Sequence, residues 1–176
     1  MVLKNPIRAA VNAPYWSIVK HSILLVEDNI ADVELVRRSL STGPGAPQLI
    51  VADDGVEALR ILRQKPAALP LPDLILLDLN LPRQTGLQIL AELKSDPALK
   101  QIPVVVLTSS NAERDVSSAY GLHANCYFAK PMDIDGFAEM LRSIEEFWFS
   151  RVILPAHTKT TGSSNTKTAP APEVSR

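Results

Sequence analysis

Residues suited to phosphate and metal chemistry stand at or just after the ends of short apolar runs in this 176-residue chain. Five of them draw attention: Glu27, Asp28, Asp78, Thr108 and Lys130. Asp78 is the most unusual, because the apolar run LILL precedes it with no polar spacer. A strand that ends directly on an acid suggests that the carboxylate has a use.

Three carboxylates brought close together repel one another, and burial adds to the cost, so such a group needs a cation or protons. Mg²⁺ prefers oxygen ligands and is typically held by one or two carboxylates together with water and phosphate oxygens. A carboxylate can attack phosphorus and form an aspartyl phosphate while the metal offsets the charge between the two anions. The residue types therefore indicate phosphoryl transfer, with the Thr108 hydroxyl and the Lys130 ammonium available to the transferred oxygens.

The chain contains the elements that such a site requires. Five apolar runs of strand length alternate with segments of helical spacing. This alternation predicts a parallel sheet covered on both faces, in which ligands bind beyond the carboxyl ends of the strands. The predicted strands are Ile23–Val26, Leu49–Val51, Leu74–Leu77, Val104–Leu107 and Tyr127–Ala129, and the predicted helices lie within 31–40, 54–63, 87–93, 111–121 and a last segment with the stripe Phe137, Leu141, Ile144 and Trp148.

Composition and length predict one globular domain. Apolar residues make up 46% and charged residues 21%, and no run approaches the length of a spanning helix. We expect the domain over 21–154, an extension over 1–20 whose order the pattern does not decide, and a disordered tail over 155–176 that is rich in Ser, Thr and Pro. We therefore expect no DNA-binding output domain after Leu154.

Charge and cysteine content bear on partners and location. The net charge is −1 for the chain, and about −6 for residues 22–154 once the basic ends are removed. An acidic core without a basic stripe argues against nucleic acid as a ligand. The single cysteine, Cys126, excludes an internal disulfide, and together with the lack of a signal peptide it favours the cytoplasm.

Four motifs, ILLVEDN, PDLILLDLNLPRQTG, PVVVLTSS and CYFAKP, resemble those of the receiver domains of bacterial two-component systems. The resemblance covers about residues 21–150, with the motifs in the right order and at typical spacings. It implies a flavodoxin-like, doubly wound sheet of five parallel strands in the order 2-1-3-4-5 with five helices. The segments EDNIADVELVRRSL, SDPALKQIPVVVLTSS and IEEFWFSRVILP are further similar to the single-domain regulators that serve cyanobacterial phytochrome histidine kinases.

This resemblance assigns roles to the candidate residues. Asp78 would be the phosphoacceptor, Thr108 the switch hydroxyl, Lys130 the phosphate-binding lysine and Tyr127 the aromatic switch. The implied cofactor is Mg²⁺, with Mn²⁺ or Ca²⁺ as substitutes. Its ligands would be Glu27, acting mainly through metal-bound water, with Asp28, Asp78 and the main-chain carbonyl of Asn80. A cis Lys130–Pro131 bond, as in related receivers, is allowed because the cis penalty at proline is small.

Each residue also has a plainer interpretation. Glu27 and Asp28 could cap the helix that follows, Asp78 could form a turn, and Lys130 could be a solvated cation. Asp53 and Asp54 are best interpreted as the cap of the second helix. Tyr127 could equally be a half-buried aromatic residue of an edge strand. The joint placement of the acids, the hydroxyl and the lysine favours the functional interpretation.

Three functions remain open at this stage. The leading one is a stand-alone receiver that accepts a phosphoryl group on Asp78 from a phytochrome-type histidine kinase. Such a protein is not an enzyme on other substrates and promotes only its own phosphorylation and dephosphorylation. The second is a Mg²⁺-dependent phosphohydrolase with an aspartyl nucleophile, against which Asn80 stands where such enzymes commonly have a second acid. The third is an interaction module that is not phosphorylated.

The last helix carries more apolar surface than one face can bury. Met140, Phe147, Phe149, Val152 and Ile153 are left over after the predicted stripe. An exposed patch of this kind usually marks a partner surface. We expect a homodimer through the fifth strand and the last helix, as the resemblance also implies; the alternative is that the N-terminal segment PYWSIV covers the patch.

Overall fold

The computed structural model describes residues 21–43, 45–64 and 70–155. Five strands and five helices alternate in it, as the sequence predicts. The strands are β1 Ser22–Val26, β2 Gln48–Ala52, β3 Leu74–Leu77, β4 Val104–Thr108 and β5 Cys126–Ala129. The helices are α1 Ile30–Ser39, α2 Gly55–Gln64, α3 Gly86–Ser95, α4 Glu113–Gly121 and α5 Ile134–Glu146, and a π-helical segment, Phe147–Arg151, continues α5.

All strand pairs are parallel, and the sheet order is β2-β1-β3-β4-β5. The predicted order is therefore confirmed. Because the central strands β1, β3 and β4 are covered on both faces, their residues are almost wholly buried. No helix in this part of the chain is long and apolar enough to cross a membrane.

Alternate residues of each strand point to opposite faces of the sheet and belong to two hydrophobic clusters, one on each face. Leu24, Ile75 and Val106 belong to the cluster packed against α2 and α3. The other cluster packs against α1 and α5 and contains the whole predicted stripe of the last helix, Phe137, Leu141, Ile144 and Trp148. The two clusters bury both faces of the sheet, and the carboxyl ends of its parallel strands lie together at one edge.

Several helix ends differ from the sequence prediction for identifiable reasons. The helix predicted over 87–93 extends over Gly86–Ser95. Its start is fixed by a reciprocal capping box between Thr85 and Gln88. α4 begins at Glu113 rather than at residue 111. The residues before α4 instead make loop contacts through Ser110, whose hydroxyl donates to the Asp115 carboxylate at 2.5 Å.

Expectations for residues 1–20, including the PYWSIV segment, and for nearly all of the predicted tail lie outside the described residues. Within the described part, Met140, Phe149 and Val152 are partly buried against the α1–α5 cluster. Phe147 and Ile153 remain exposed. The apolar excess of the last helix is therefore smaller than its sequence suggests, but it is not eliminated.

Candidate functional site

All predicted site residues except Tyr127, which lies within β5, are at the carboxyl edge of the sheet. Glu27 follows β1 and its backbone N–H donates to the Ala52 carbonyl of β2 at 3.0 Å. Asp78 follows β3 and its N–H donates to the Val26 carbonyl at 3.1 Å. These bonds extend the parallel pairing one residue beyond the strands, which fixes both acids despite their position at the edge.

The Lys130 ammonium is the centre of the site. Its Nζ donates to Glu27 Oε2 at 2.6 Å, to Asp32 Oδ2 at 2.8 Å and to Asp78 Oδ2 at 2.8 Å. The backbone N–H of Lys130 donates to the Thr108 carbonyl at 2.8 Å, so β5 delivers the side chain alongside β4. The structure thus brings Glu27, Asp78 and Lys130 together, as predicted.

Asp32 is a member of this cluster that the sequence analysis did not single out. It lies in the first turn of α1, a helix that Asn29 caps by accepting from the Ala31 N–H at 2.9 Å. The available signal was spacing, since Asp32 stands one helical turn after Asp28. That signal is weak, because acidic residues are common in the first turn of any helix.

Burial and hydrogen bonds tune the two buried acids differently. Burial raises the pKa of Glu27, and the nearby charge of Asp78 adds to this, so that the lowering effect of Lys130 is outweighed. Burial also acts to raise the pKa of Asp78, but the hydrogen bonds from the Asn80 N–H and Lys130 outweigh it and leave the pKa below its usual value. Asp78 is therefore an ionised carboxylate at neutral pH.

Lys130 itself remains firmly charged. Burial lowers its pKa, but the hydrogen bonds to Asp32, Asp78 and Glu27 outweigh that effect and raise the pKa well above its usual value. The ammonium therefore acts as a permanent cation and not as a proton donor.

The hydroxyl side of the site is built from β4 and the loop after β3. Thr108 is fully buried, and its Oγ1 accepts from Asn80 Nδ2 at 3.2 Å. The Asn80 N–H donates to Asp78 Oδ1 at 3.0 Å. Asn80 thus joins the acid to the hydroxyl through two different donors, which orders the loop between them.

Tyr127 is partly buried on β5, and its hydroxyl donates to the Ser110 carbonyl at 2.8 Å. It therefore ties β5 to the loop after Thr108. Both interpretations of Tyr127 fit this contact, so its role as a switch stays a prediction.

The structure also shows the state of Asp54, Asp28 and the Lys130–Pro131 peptide bond. Asp54 caps α2, because its Oδ1 accepts from the Glu57 N–H at 2.8 Å, and it also pairs with Arg83 of the β3–α3 loop. Asp28 is exposed at the mouth of the site. The allowed cis bond before Pro131 is not adopted, since the described residues contain no cis peptide bond.

The metal-ligand set Glu27, Asp28, Asp78 and Asn80 stays a prediction. Among the described residues, no group of three or more His, Cys, Asp or Glu side chains is arranged to hold a metal ion. The reason lies in the cluster itself, where the carboxylates converge on the Lys130 ammonium. The donor chemistry nevertheless fits a hard divalent cation, because the edge presents carboxylate and main-chain oxygens and no sulfur or imidazole.

Comparison with known proteins agrees with the fold. Residues 23–142 match the response regulator receiver domain family. The chain is 48% identical over 136 residues to the response regulator Rcp1 of Synechocystis sp.. The aligned region covers 76% of this chain and 92% of Rcp1. It is also 37% identical to the probable methanogenesis regulatory protein FilR2 of Methanothrix harundinacea, over 72% of this chain and 82% of that protein.

Solved structures of response regulators have the same fold as this chain. The phosphorylated cyanobacterial phytochrome response regulator RcpA superposes with a TM-score of 0.75 at 45% identity, covering 78% of this chain and all of RcpA. The Mn²⁺-bound form of Rcp1 superposes with a TM-score of 0.70 at 44% identity, covering 77% of this chain and 99% of Rcp1. With its strand order and its acid, hydroxyl and lysine at one edge, the chain belongs to the response regulator receiver domain family of two-component systems.

Proposed function

We propose that this protein is a single-domain response regulator that accepts a phosphoryl group on Asp78 from a sensor histidine kinase. The observation that carries this is the state of Asp78, an ionised carboxylate held at 2.8 Å from the Lys130 ammonium at the mouth of the sheet. In the transfer, a bond forms between an Asp78 oxygen and phosphorus, and the bond between phosphorus and the donor histidine nitrogen breaks.

The neighbouring residues have distinct parts in this proposal. Lys130 pairs with one oxygen of the transferred group, and the Thr108 hydroxyl donates to another. Mg²⁺, or Mn²⁺ or Ca²⁺ in its place, would be held by Asp28, Asp78 and the Asn80 main-chain carbonyl, with Glu27 acting mainly through metal-bound water. Bound metal offsets the charge between the carboxylate and the phosphoryl group. Rcp1 in its Mn²⁺-bound form supports this ligand class.

The signal leaves the site through the loop after β4. When Thr108 turns towards a phosphoryl oxygen, it loses its contact with Asn80 Nδ2 and pulls on Ser110, to whose carbonyl Tyr127 is bonded. The surface of α4, β5 and α5 then changes for a partner.

The proposed kinase partner is a phytochrome-type histidine kinase acting in the cytoplasm. The name of RcpA, a cyanobacterial phytochrome response regulator at 45% identity, supports it. We further propose a homodimer through β5 and the last helix, with neither nucleic acid nor membrane as a direct ligand. The exposed Phe147 and Ile153 support such an interface.

The experiment is transfer from candidate kinases labelled with radioactive phosphate, with light-regulated phytochrome kinases among the donors. Wild-type protein is expected to take the label rapidly in the presence of Mg²⁺, and Asp78→Asn protein is expected to take none. Equal labelling of the two proteins would contradict the assignment of Asp78. Transfer that is no faster from phytochrome-type donors than from unrelated kinases would contradict the partner.

Two other functions make different predictions in the same assay. A non-phosphorylated interaction module would take no label from any donor. A phosphohydrolase would turn over a generic phosphate ester such as p-nitrophenyl phosphate. Asn80 stands where such enzymes commonly have a general acid, and its amide cannot serve as one.

A further inference from the structure

The donor count of Lys130 limits what this lysine can bind. An ammonium has three N–H donors, and here each is bonded to a different carboxylate, those of Glu27, Asp32 and Asp78. Phosphorylation converts the Asp78 carboxylate to an acyl phosphate, and the several phosphoryl oxygens then compete with Glu27 and Asp32 for this ammonium. The structure allows us to compare the cost of losing each of these bonds.

The three carboxylates differ in their access to water. The side chain of Glu27 is 3% exposed and that of Asp78 is 7% exposed, whereas that of Asp32 is 23% exposed. A buried carboxylate that loses its cation is left without solvation, which is strongly unfavourable. Asp32 can instead be hydrated, and it stays near the positive end of the α1 dipole. The Asp32 bond is therefore the least costly to break.

We propose that Asp32 is a positioning residue that holds the Lys130 ammonium before phosphorylation and releases it when a phosphoryl oxygen arrives on Asp78. This inference rests on the proposed function. Asp32 competes with the phosphoryl group for the ammonium. Through this competition, Asp32 restrains phosphorylation and weakens the hold on the transferred group.

Removing this charge should free one donor of Lys130. With saturating Mg²⁺, we expect acetyl phosphate to phosphorylate Asp32→Asn protein roughly fivefold faster than wild type. This factor corresponds to the free energy of one partly exposed ion pair. It is also expected to bind fluoroberyllate, a phosphoryl mimic, more tightly by a similar factor. Asp32→Ser is a second variant, suited to a helix first turn, and should behave in the same way.

Glu34→Gln is the matched control. Glu34 lies in the same helix, and its carboxylate bonds Arg38 at 2.8 Å and not Lys130. The substitution changes the net charge by the same amount, so it measures the effect of bulk charge alone. We expect Glu34→Gln to change the rate less than about twofold, since an exposed charge is well screened at physiological salt.

A double-mutant cycle shows whether Asp32 acts through Lys130. In a Lys130→Gln background, Asp32→Asn should no longer tighten fluoroberyllate binding, because the bond that it removes is already absent. A role of Asp32 that is only structural would lower the melting temperature and would not increase the rate.

Three outcomes would overturn the inference: Asp32→Asn protein that reacts no faster than wild type, an equal increase in Glu34→Gln protein, or an effect of Asp32→Asn that persists without Lys130. In each of these cases wild-type protein is still phosphorylated, so the proposed function survives. If instead wild-type protein takes no phosphoryl group on Asp78, the proposed function fails and this inference fails with it.

Discussion

At the scale of single residues, the site is an unbalanced charge cluster. One ammonium, that of Lys130, faces three carboxylates, and two of these carboxylates are almost wholly buried. The sequence predicted that Glu27, Asp78, Thr108 and Lys130 would meet, because parallel strands bring their carboxyl ends to one edge. It could not predict that Asp32 would join them, since a side-chain contact between α1 and β5 depends on how helices pack and not on local pattern.

Loss of Lys130 should destabilise the protein in a way that depends on pH. At pH 7, Lys130→Met protein is expected to lose about 3 kcal/mol of unfolding free energy, because buried carboxylates are left without a cation. Lys130 helps to hold the pKa of Asp78 below its usual value, so the stability it confers is present at neutral pH and is lost as pH falls through that pKa. Urea denaturation at pH 7 and at about pH 3 measures both effects.

The difference in unfolding free energy between wild-type and Lys130→Met protein should therefore shrink on acidification. In the variant, Glu27 and Asp78 lack the cation and take up protons, which removes their unpaired charge. Lys100→Met is the control, because Lys100 is an exposed lysine outside the cluster. A deficit that is the same at both pH values would contradict the electrostatic account.

At the scale of elements, the turn between β3 and α3 controls the position of Asp78. Gly86, the first residue of α3, donates its N–H to the Leu79 carbonyl at 3.0 Å. A Cβ at Gly86 would lie 2.1 Å from the Asp78 carbonyl oxygen and 2.6 Å from Leu79 Cα. Both neighbours are backbone, so neither can move without shifting Asp78.

Gly86→Ala is expected to lower the free energy of unfolding by about 3 kcal/mol, because the overlap with backbone must be relieved by moving the turn. Gly121→Ala is the matched control, since nothing lies within 4 Å of a Cβ at that position in α4. The control should be neutral or stabilising by up to about 1 kcal/mol, as expected for alanine in a helix. Chemical denaturation of both variants tests this, and equal effects would contradict the close approach at Gly86.

The elements also show where sequence reasoning succeeds and where it stops. β3 was predicted at its observed bounds, because a buried strand of a parallel sheet is a continuous apolar run between polar residues. The π-helical continuation of α5 over Phe147–Arg151 was not predicted. Trp148 fits the same helical stripe as α5, and hydrophobic spacing does not distinguish the two backbone geometries over one turn.

At the scale of the whole molecule, the apolar surface that remains exposed bears on assembly. Phe147 is 51% exposed and Ile153 is 98% exposed, both beyond the end of α5. The sequence overestimated this patch, because it could not show that Met140, Phe149 and Val152 pack against the α1–α5 cluster. Phe147 and Ile153 are the two side chains of the predicted patch that stay exposed, and they are candidates for the proposed dimer interface.

The combined substitution Phe147→Glu and Ile153→Glu is expected to shift the protein from dimer to monomer, because it places charge in an apolar contact. Light scattering coupled to size-exclusion chromatography measures the mass. Val56→Glu is the control, since Val56 is exposed on α2 beside the opposite edge of the sheet. A wild-type protein that is monomeric, or a double variant that remains dimeric, would contradict this interface.

The central claim is that Asp78 receives the phosphoryl group, and its most direct test is to locate the acyl phosphate in the chain. The protein would be treated with acetyl phosphate and Mg²⁺, reduced with borohydride to convert an aspartyl phosphate to homoserine, and sequenced by tandem mass spectrometry. The account predicts homoserine at position 78 alone. Homoserine at position 28, 32 or 53, or at no position, would contradict it.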